Sequence, residues 1–408
     1  LELSSDNRTA TATLVVEEAA PAELDITDIA DAESVSAGDA FSVNVTVENV
    51  GDRDADNGTV MLESPTGTTT EVDAQPSAGE TNTSEVSVDI SDRPRAGEFD
   101  REFTVTAETD GGTDDEQTLS ETVNYGSVRS GVAQARAASA DTVLIAPGTY
   151  NERDTVTVET SDLVLEAAGS DPATIAPTND QTAVDIRADN VTLQGLTFEG
   201  DGNESAVTTE ADATLESVDV ENWETGIESS DGTLSVRDAR IENVATGLET
   251  NSSDQTDVNF TTVRASDIGV RVTAPNALIA DSSIIGAETG IDVVEVDVSN
   301  VEVRRTTIRQ NTLGLRVFKT GENDDDPFMP LNSNNLESNG LSVLADDSKV
   351  DANDNWWGQP GAVPPGDTLA RSTIATDPGR SRIDSNLQVG LGSVGGLTGG
   401  TFERGESY

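Results

Sequence analysis

Two residue types are missing altogether: the 408-residue chain contains no cysteine and no histidine. Without cysteine there is neither a disulfide framework nor a thiolate site. Without histidine the usual general base, the commonest metal ligand and every Ser-His-Asp or Cys-His arrangement disappear. Lysine is nearly absent, with Lys319 and Lys349 the only two, and arginine supplies the rest of the 23 basic residues. Against them stand 77 acidic residues, for a formal charge of -54. Phosphate binding needs a basic face, so no nucleic acid partner is expected, and anionic lipid surfaces are disfavoured on the same ground. No apolar run reaches transmembrane length and no signal peptide opens the chain at Leu1. The reading is a mature secreted protein, or a fragment of a longer one, with no direct membrane span.

High acidity, little lysine and an aromatic content of 3% together resemble the proteins of extreme halophiles. Their self-repulsion is relieved by screening in molar salt. An extracellular or cell-surface location follows as an expectation. Sequons of the form Asn-x-Ser/Thr begin at Asn7, Asn44, Asn57, Asn82, Asn190, Asn203, Asn251 and Asn259, and mark candidate glycosylation sites on a secreted chain.

The segment 1–20 carries one strand signal. In residues 9–16, TATATLVV, Ala10, Ala12, Leu14 and Val16 share one face. It reads like the last strand of an otherwise missing Ig-like domain, and is a candidate assembly strand donated to a neighbouring copy. Pairing within 22–125, or a processed upstream domain, are the other readings. Residues 22–125 hold short alternating runs such as AFSVNVTVENV (40–50) and REFTVTAE (101–108), separated by turn signals at Gly51-Asp52, Pro65-Thr66-Gly67 and Gly111-Gly112. Strands at this spacing without helices indicate a β-sandwich. The stretch 37–52 resembles the Ig-like, CARDB-type modules of prokaryotic surface proteins.

At residues 126–140 the period changes: Val128, Val132 and Ala135 fall on one helical face behind Ser127, a suitable N-cap. This helix leading into VLIAPGTY (143–150) resembles the opening of pectin-lyase-like parallel β-helices, and would plug the open end of the solenoid. From there a repeat dominates. Gly226, Gly247, Gly269, Gly290 and Gly314 recur at intervals of 21, 22, 21 and 24, and Gly340 follows after 26. The next residue is always aliphatic (Ile227, Leu248, Val270, Ile291, Leu315, Leu341), and the one after it polar (Glu228, Glu249, Arg271, Asp292, Arg316, Ser342). Val220, Ile241, Val263, Ile284 and Ile308 form a second inward column. Alternation within rungs and stacking between them is what a parallel solenoid requires, and the glycines are expected to make a tight corner. The expected fold is therefore all-β: an N-terminal strand and Ig-like sandwich, then a right-handed three-sided parallel β-helix over 126–365 of about ten rungs of about 4.8 Å each, then a Gly-rich tail over 366–408.

The repeats resemble a family that includes polysaccharide lyases, NosD-like periplasmic proteins and archaeal surface proteins. For chemistry, Arg304, Arg305, Arg309 and Arg316 are candidate catalytic residues beside an acidic loop of Glu322, Asp324, Asp325 and Asp326, a candidate calcium site. The resemblance implies, for a lyase, calcium acidifying a uronic acid proton and a basic residue removing it. The competing reading is an ion-pair ladder, with Glu249, Arg271, Asp292 and Arg316 on successive rungs. Trp356 and Trp357 are read as an end cap rather than a sugar platform. Three functions stay open: a non-catalytic structural or adhesive surface protein that self-associates; a calcium-dependent lyase or glycan-binding protein; and a spike or fibre of a haloarchaeal virus.

Overall fold

The computed structural model describes residues 18–356 except 31–34, 37–39, 91–93, 252–253, 274, 295–299, 319–328, 347–349 and 353–354, together with the backbone of 2–5, 8–11 and 374–376. The chain divides into two compact units: residues 1–92 with 98–125, and residues 93–97 with 126–408.

In the first unit a three-stranded antiparallel sheet (Leu24–Ala30, Ala40–Asn49, Thr81–Asp89) and a five-stranded sheet (Val35–Ser36, Gly112–Asn124, Glu98–Thr109, Thr59–Glu63, Thr69–Asp73) form the all-β layer pair. Alternation decides which side chains enter the core. Phe41, Val43, Val45 and Val47 come inward from one sheet; Phe103, Val105 and Ala107 come inward from the other. Phe41 and Phe103 stack with ring centroids 4.0 Å apart. At the N-terminus, Arg8–Thr11 pairs antiparallel with Glu2–Ser5. Ala10 lies in that strand; Ala12, Leu14 and Val16 of the candidate assembly strand fall outside the described residues.

The second unit is a right-handed parallel β-helix of about nine turns, where the glycine spacing suggested ten. It opens with the helix Val128–Ala138, capped by Ser127, whose hydroxyl accepts from the Ser130 amide at 3.2 Å. Its buried face, Val128, Val132 and Ala135, closes the solenoid end. Glu152, buried in the first turn of the solenoid, accepts from the Val128 amide at 2.8 Å. Burial pushes this carboxyl above its ordinary range, against the pull of two helix N–H groups and Arg129. One strand of the first solenoid face comes from far upstream. Arg95–Ala96 pairs in parallel with Thr142–Ile145, and Ala96 is fully buried in the solenoid core.

The first face runs through Val164–Ala167, Val191–Gln194, Ala213–Glu216, Leu234–Arg237, Gln255–Asn259, Asn276–Ala280, Asn300–Arg304 and Met329–Asn332. The second and third faces share one sheet. On the third, Ile227, Leu248, Val270, Ile291 and Leu315 stack as an inward column. On the second, Val220, Ile241, Val263, Ile284 and Ile308 do the same.

Two further sequence expectations change. The repeat glycines do not make the corners. Left-handed backbone falls instead on Ser217, Asp238, Phe260, Asp281, Arg305 and Ser333 between the first and second faces, and on Asn222, Asn243, Gly286, Gln310 and Ser338 between the second and third. The repeat glycines are required by stacking: a Cβ on Gly226, Gly247, Gly269 or Gly290 would lie 2.4–2.5 Å from the carbonyl oxygen of the next glycine in the column. The last rung is also shifted by two. Val343, not Leu341, sits under Leu315, so Ser342 lies beneath Gly314 and is fully buried rather than outward.

Polar side chains take over the corner amides. Asn311 and Asn339 form one ladder, the Asn339 Oδ1 accepting from the Asn311 amide at 3.0 Å and the Asn311 Oδ1 from the Ala287 amide at 2.9 Å. Asn334 and Asn355 do the same for Thr306 and Asn334, at 2.9 and 2.8 Å. These side-chain amides, buried at Asn311, Asn334 and Asn339, satisfy N–H groups that the sharp bends would otherwise orphan.

Candidate functional site

A turn of 21 to 28 residues circles all three faces, so neighbours in sequence part company in space. Arg304 ends a strand of the first face, Arg305 occupies a corner, Arg309 lies on the second face and Arg316 on the third. The structure does not bring the four arginines together. Arg305 grips Asp281 through Nε and Nη2 at 2.7 and 2.6 Å, which holds the Asp281 carboxyl below its usual range. Arg316 grips Asp292 in the same bidentate way at 2.6 and 2.7 Å, and its guanidinium holds its proton more firmly for it. Arg304 reaches Glu302 at 3.5 Å. The acidic residues Glu322, Asp324, Asp325 and Asp326 and Trp357 lie outside the described residues; Trp356 bridges to Asn335 and stands half exposed. Among the described residues no three carboxylates gather as a cation site.

The outward column of the third face reads Glu228, Glu249, Arg271, Asp292, Arg316 on successive rungs. Arg271 bridges Glu249 at 3.5 Å and Asp292 at 3.8 Å. The two arginines cover Asp292 so well that 1% of its side chain is exposed. On the second face Arg240, at 2.6 Å, and Arg264 converge on Glu242. These arginines are committed to carboxylates, so none is a free base.

The first face is built differently. Its outward rows combine amides, carboxylates and apolar groups at rung spacing. Gln255, Asn276 and Asn300 stack in one row; Asp257, Leu278, Glu302 and Pro330 stack in the next. Together with Ala277 they line an open groove of about 460 Å³. The Gln255 amide donates to both Asp257 oxygens at 2.9 Å, fixing that carboxylate at the rim. Leu278 separates the carboxylates of Asp257 and Glu302, which are two rungs, about 9.6 Å, apart along the backbone. The Arg304 Nε is buried without a hydrogen-bond partner. Leu278 and Pro330, set among planar hydrogen-bonding groups in the outward rows, make this surface chemically amphiphilic, while the Ala277 side chain is buried in the solenoid core. A second groove, of about 420 Å³, lies on the third face over Asp185, Arg187, Thr208 and Glu228. Within it Arg187 pairs with Asp185, and Glu228 accepts from the Ser205 hydroxyl.

No family model and no curated protein matches the chain. Among solved structures it is similar to the alginate lyase of Paenibacillus sp. str. FPU-7, at 12% identity over 55% of this chain and 85% of that one, with a TM-score of 0.37. The catalytic domain of a GH87 alpha-1,3-glucanase in complex with tetrasaccharides matches at 12% identity over 83% and 84%, TM-score 0.32. A family 28 exopolygalacturonase of Yersinia enterocolitica matches at 10% over 88% and 98%, TM-score 0.28. These neighbours are pectin-lyase-like parallel β-helices. Identities and scores this low transfer neither a substrate nor a residue role to this chain.

The groove residues carry no motif and were missed in the sequence. The signal that finds them is the repeat itself, read one face over: Gln255, Asn276 and Asn300 recur at 21 and 24 residues. The sequons separate by geometry. Asn44, Asn57, Asn190, Asn203 and Asn251 are exposed. At Asn82 the sequon serine hydroxyl is bonded to the asparagine side chain at 2.9 Å, and at Asn259 the sequon threonine is fully buried. Asn7 lies outside the described residues. No helix among the described residues is long and apolar enough to cross a membrane.

Proposed function

We propose that the chain is a non-catalytic, extracellular adhesive protein of a salt-adapted organism, binding a glycan in the first-face groove of its β-helix. The observation that supports this most is the groove's composition. Sugars present an apolar ring face and an edge of hydroxyls, and Leu278 and Pro330 set among Gln255, Asp257, Asn276, Asn300 and Glu302 offer the complementary groups. A formal charge of -54 disfavours polyuronates and other polyanions, so the ligand class is a neutral oligosaccharide. Binding of this kind rests on hydrogen bonds and apolar contact, which survive molar salt better than ion pairs between partners.

The test is titration calorimetry with neutral oligosaccharides in molar NaCl, with Asp257→Ala and Leu278→Asp as variants. Binding by the wild type and its loss in both variants supports the reading. Absence of binding across a glycan panel sinks it, and release of new reducing ends or unsaturated products replaces adhesion by catalysis. Added calcium is expected to leave the affinity unchanged. Self-association stays a separate proposal, checked by light scattering on Leu14→Asp.

A further inference from the structure

Phe260 is out of place by every local rule. It sits in the left-handed region at φ +52°, where its equivalents on other rungs are Ser217, Asp238, Asp281, Arg305 and Ser333. A bulky aromatic is disfavoured there, and such outliers concentrate where a side chain has work to do. It also stands 61% exposed, one of three large apolar side chains so exposed among the described residues, with Val50 and Trp356. Burial elsewhere does not explain it, since the ring covers no core.

Its surroundings define what it suits. Phe260 follows directly on the strand Gln255–Asn259, three residues, about 10 Å, beyond Asp257 at the groove. The backbone beneath is pinned, with the Phe260 amide donating to the Ala280 carbonyl at 3.3 Å. Exposed Asp238 stands one rung before it, and the Asp281–Arg305 bidentate pair occupies the next two rungs of the same corner. A single ring set among charged and polar groups is far too small an apolar patch for a protein interface. It matches one sugar ring, apolar face on the phenyl and hydroxyls toward the flanking carboxylates and guanidinium.

We infer that Phe260 is a stacking platform that extends the first-face groove across the corner and holds an additional ring of a neutral oligosaccharide. This rests on the glycan reading above. The experiment is calorimetry in molar NaCl with an oligosaccharide series of increasing length, on the wild type, Phe260→Asn and Phe260→Tyr. Asparagine suits the left-handed backbone, so Phe260→Asn should melt higher than the wild type while losing about tenfold in affinity for the longer ligands. It should keep wild-type affinity for the shortest ligand that fills the groove. Phe260→Tyr should restore the longer ligands. Wild-type binding with no loss in Phe260→Asn overturns the platform and leaves the groove standing. A lower melting temperature in Phe260→Asn overturns the strain argument behind it. Absence of binding by the wild type, with any length, overturns the groove and the platform together.

Discussion

Gly247→Ala distinguishes two explanations of the glycine column. The new Cβ would stand 2.4 Å from the Gly269 carbonyl oxygen and 2.2 Å from Val263 Cγ1. Relief needs a movement of about 1 Å against a rung spacing of about 4.8 Å fixed by the parallel ladder. Overpacking of this kind costs about 1–3 kcal/mol. Each of the two flanking ladder bonds that stretches adds about 1 kcal/mol, so about 3–5 kcal/mol is expected in all. Gly286→Ala is the control. Gly286 sits at φ +83° with nothing within 4 Å of an added Cβ, so only the left-handed penalty of about 1–2 kcal/mol remains. Urea unfolding in molar NaCl, followed by far-UV circular dichroism with the slope checked against wild type, reads both. If Gly286→Ala destabilises as much as Gly247→Ala, the glycines are not there for stacking and the reasoning fails.

Arg316→Gln strips Asp292, 1% exposed in the intact ion pair, of its bidentate partner; a loss of about 2–4 kcal/mol is expected, and adding Asp292→Asn should recover much of it in a double-mutant cycle. Glu152 works in the opposite sense from a paired carboxylate. Its folded pKa lies above the ordinary 4.5, so its stabilising contribution is complete below that pH and fades as pH rises through the raised value. Glu152→Gln should therefore match the wild type in acid and melt higher at neutral pH; parallel pH profiles would contradict the assignment. The formal charge of -54 predicts a falling melting temperature on dialysis from molar to 0.1 M salt, as the Debye length grows from about 3 to about 10 Å. A flat salt profile would remove the halophilic reading.

The inward columns were legible because each rung repeats its own alternation: Ile227, Leu248, Val270, Ile291 and Leu315 stack as the spacing required. The capping helix was legible from Ser127 and its three apolar positions. The register of the last rung was not, because Asn339-Gly340-Leu341 imitates the repeat while the backbone places Ser342 beneath Gly314. The arginine-rich stretch misled for a geometric reason. Thirteen positions from Arg304 to Arg316 run from the end of the first face, along the second and onto the third, so local density in sequence became dispersion in space. The groove escaped for the converse reason, its members being spread over successive rungs with a mixture of residue types. Arg95–Ala96 escaped because a two-residue strand inside a run of sandwich strands has no periodicity to read.

That short strand has a consequence for modularity. The first rung of the β-helix is written inside the gene segment for the sandwich, between Thr81–Asp89 and Glu98–Thr109. Excising the solenoid at Gly126 would leave Thr142–Ile145 with a bare, unpaired edge, the kind of surface that seeds aggregation. A cut that moves the β-helix intact must carry residues 93–97 along, so no single point in the chain separates the two units.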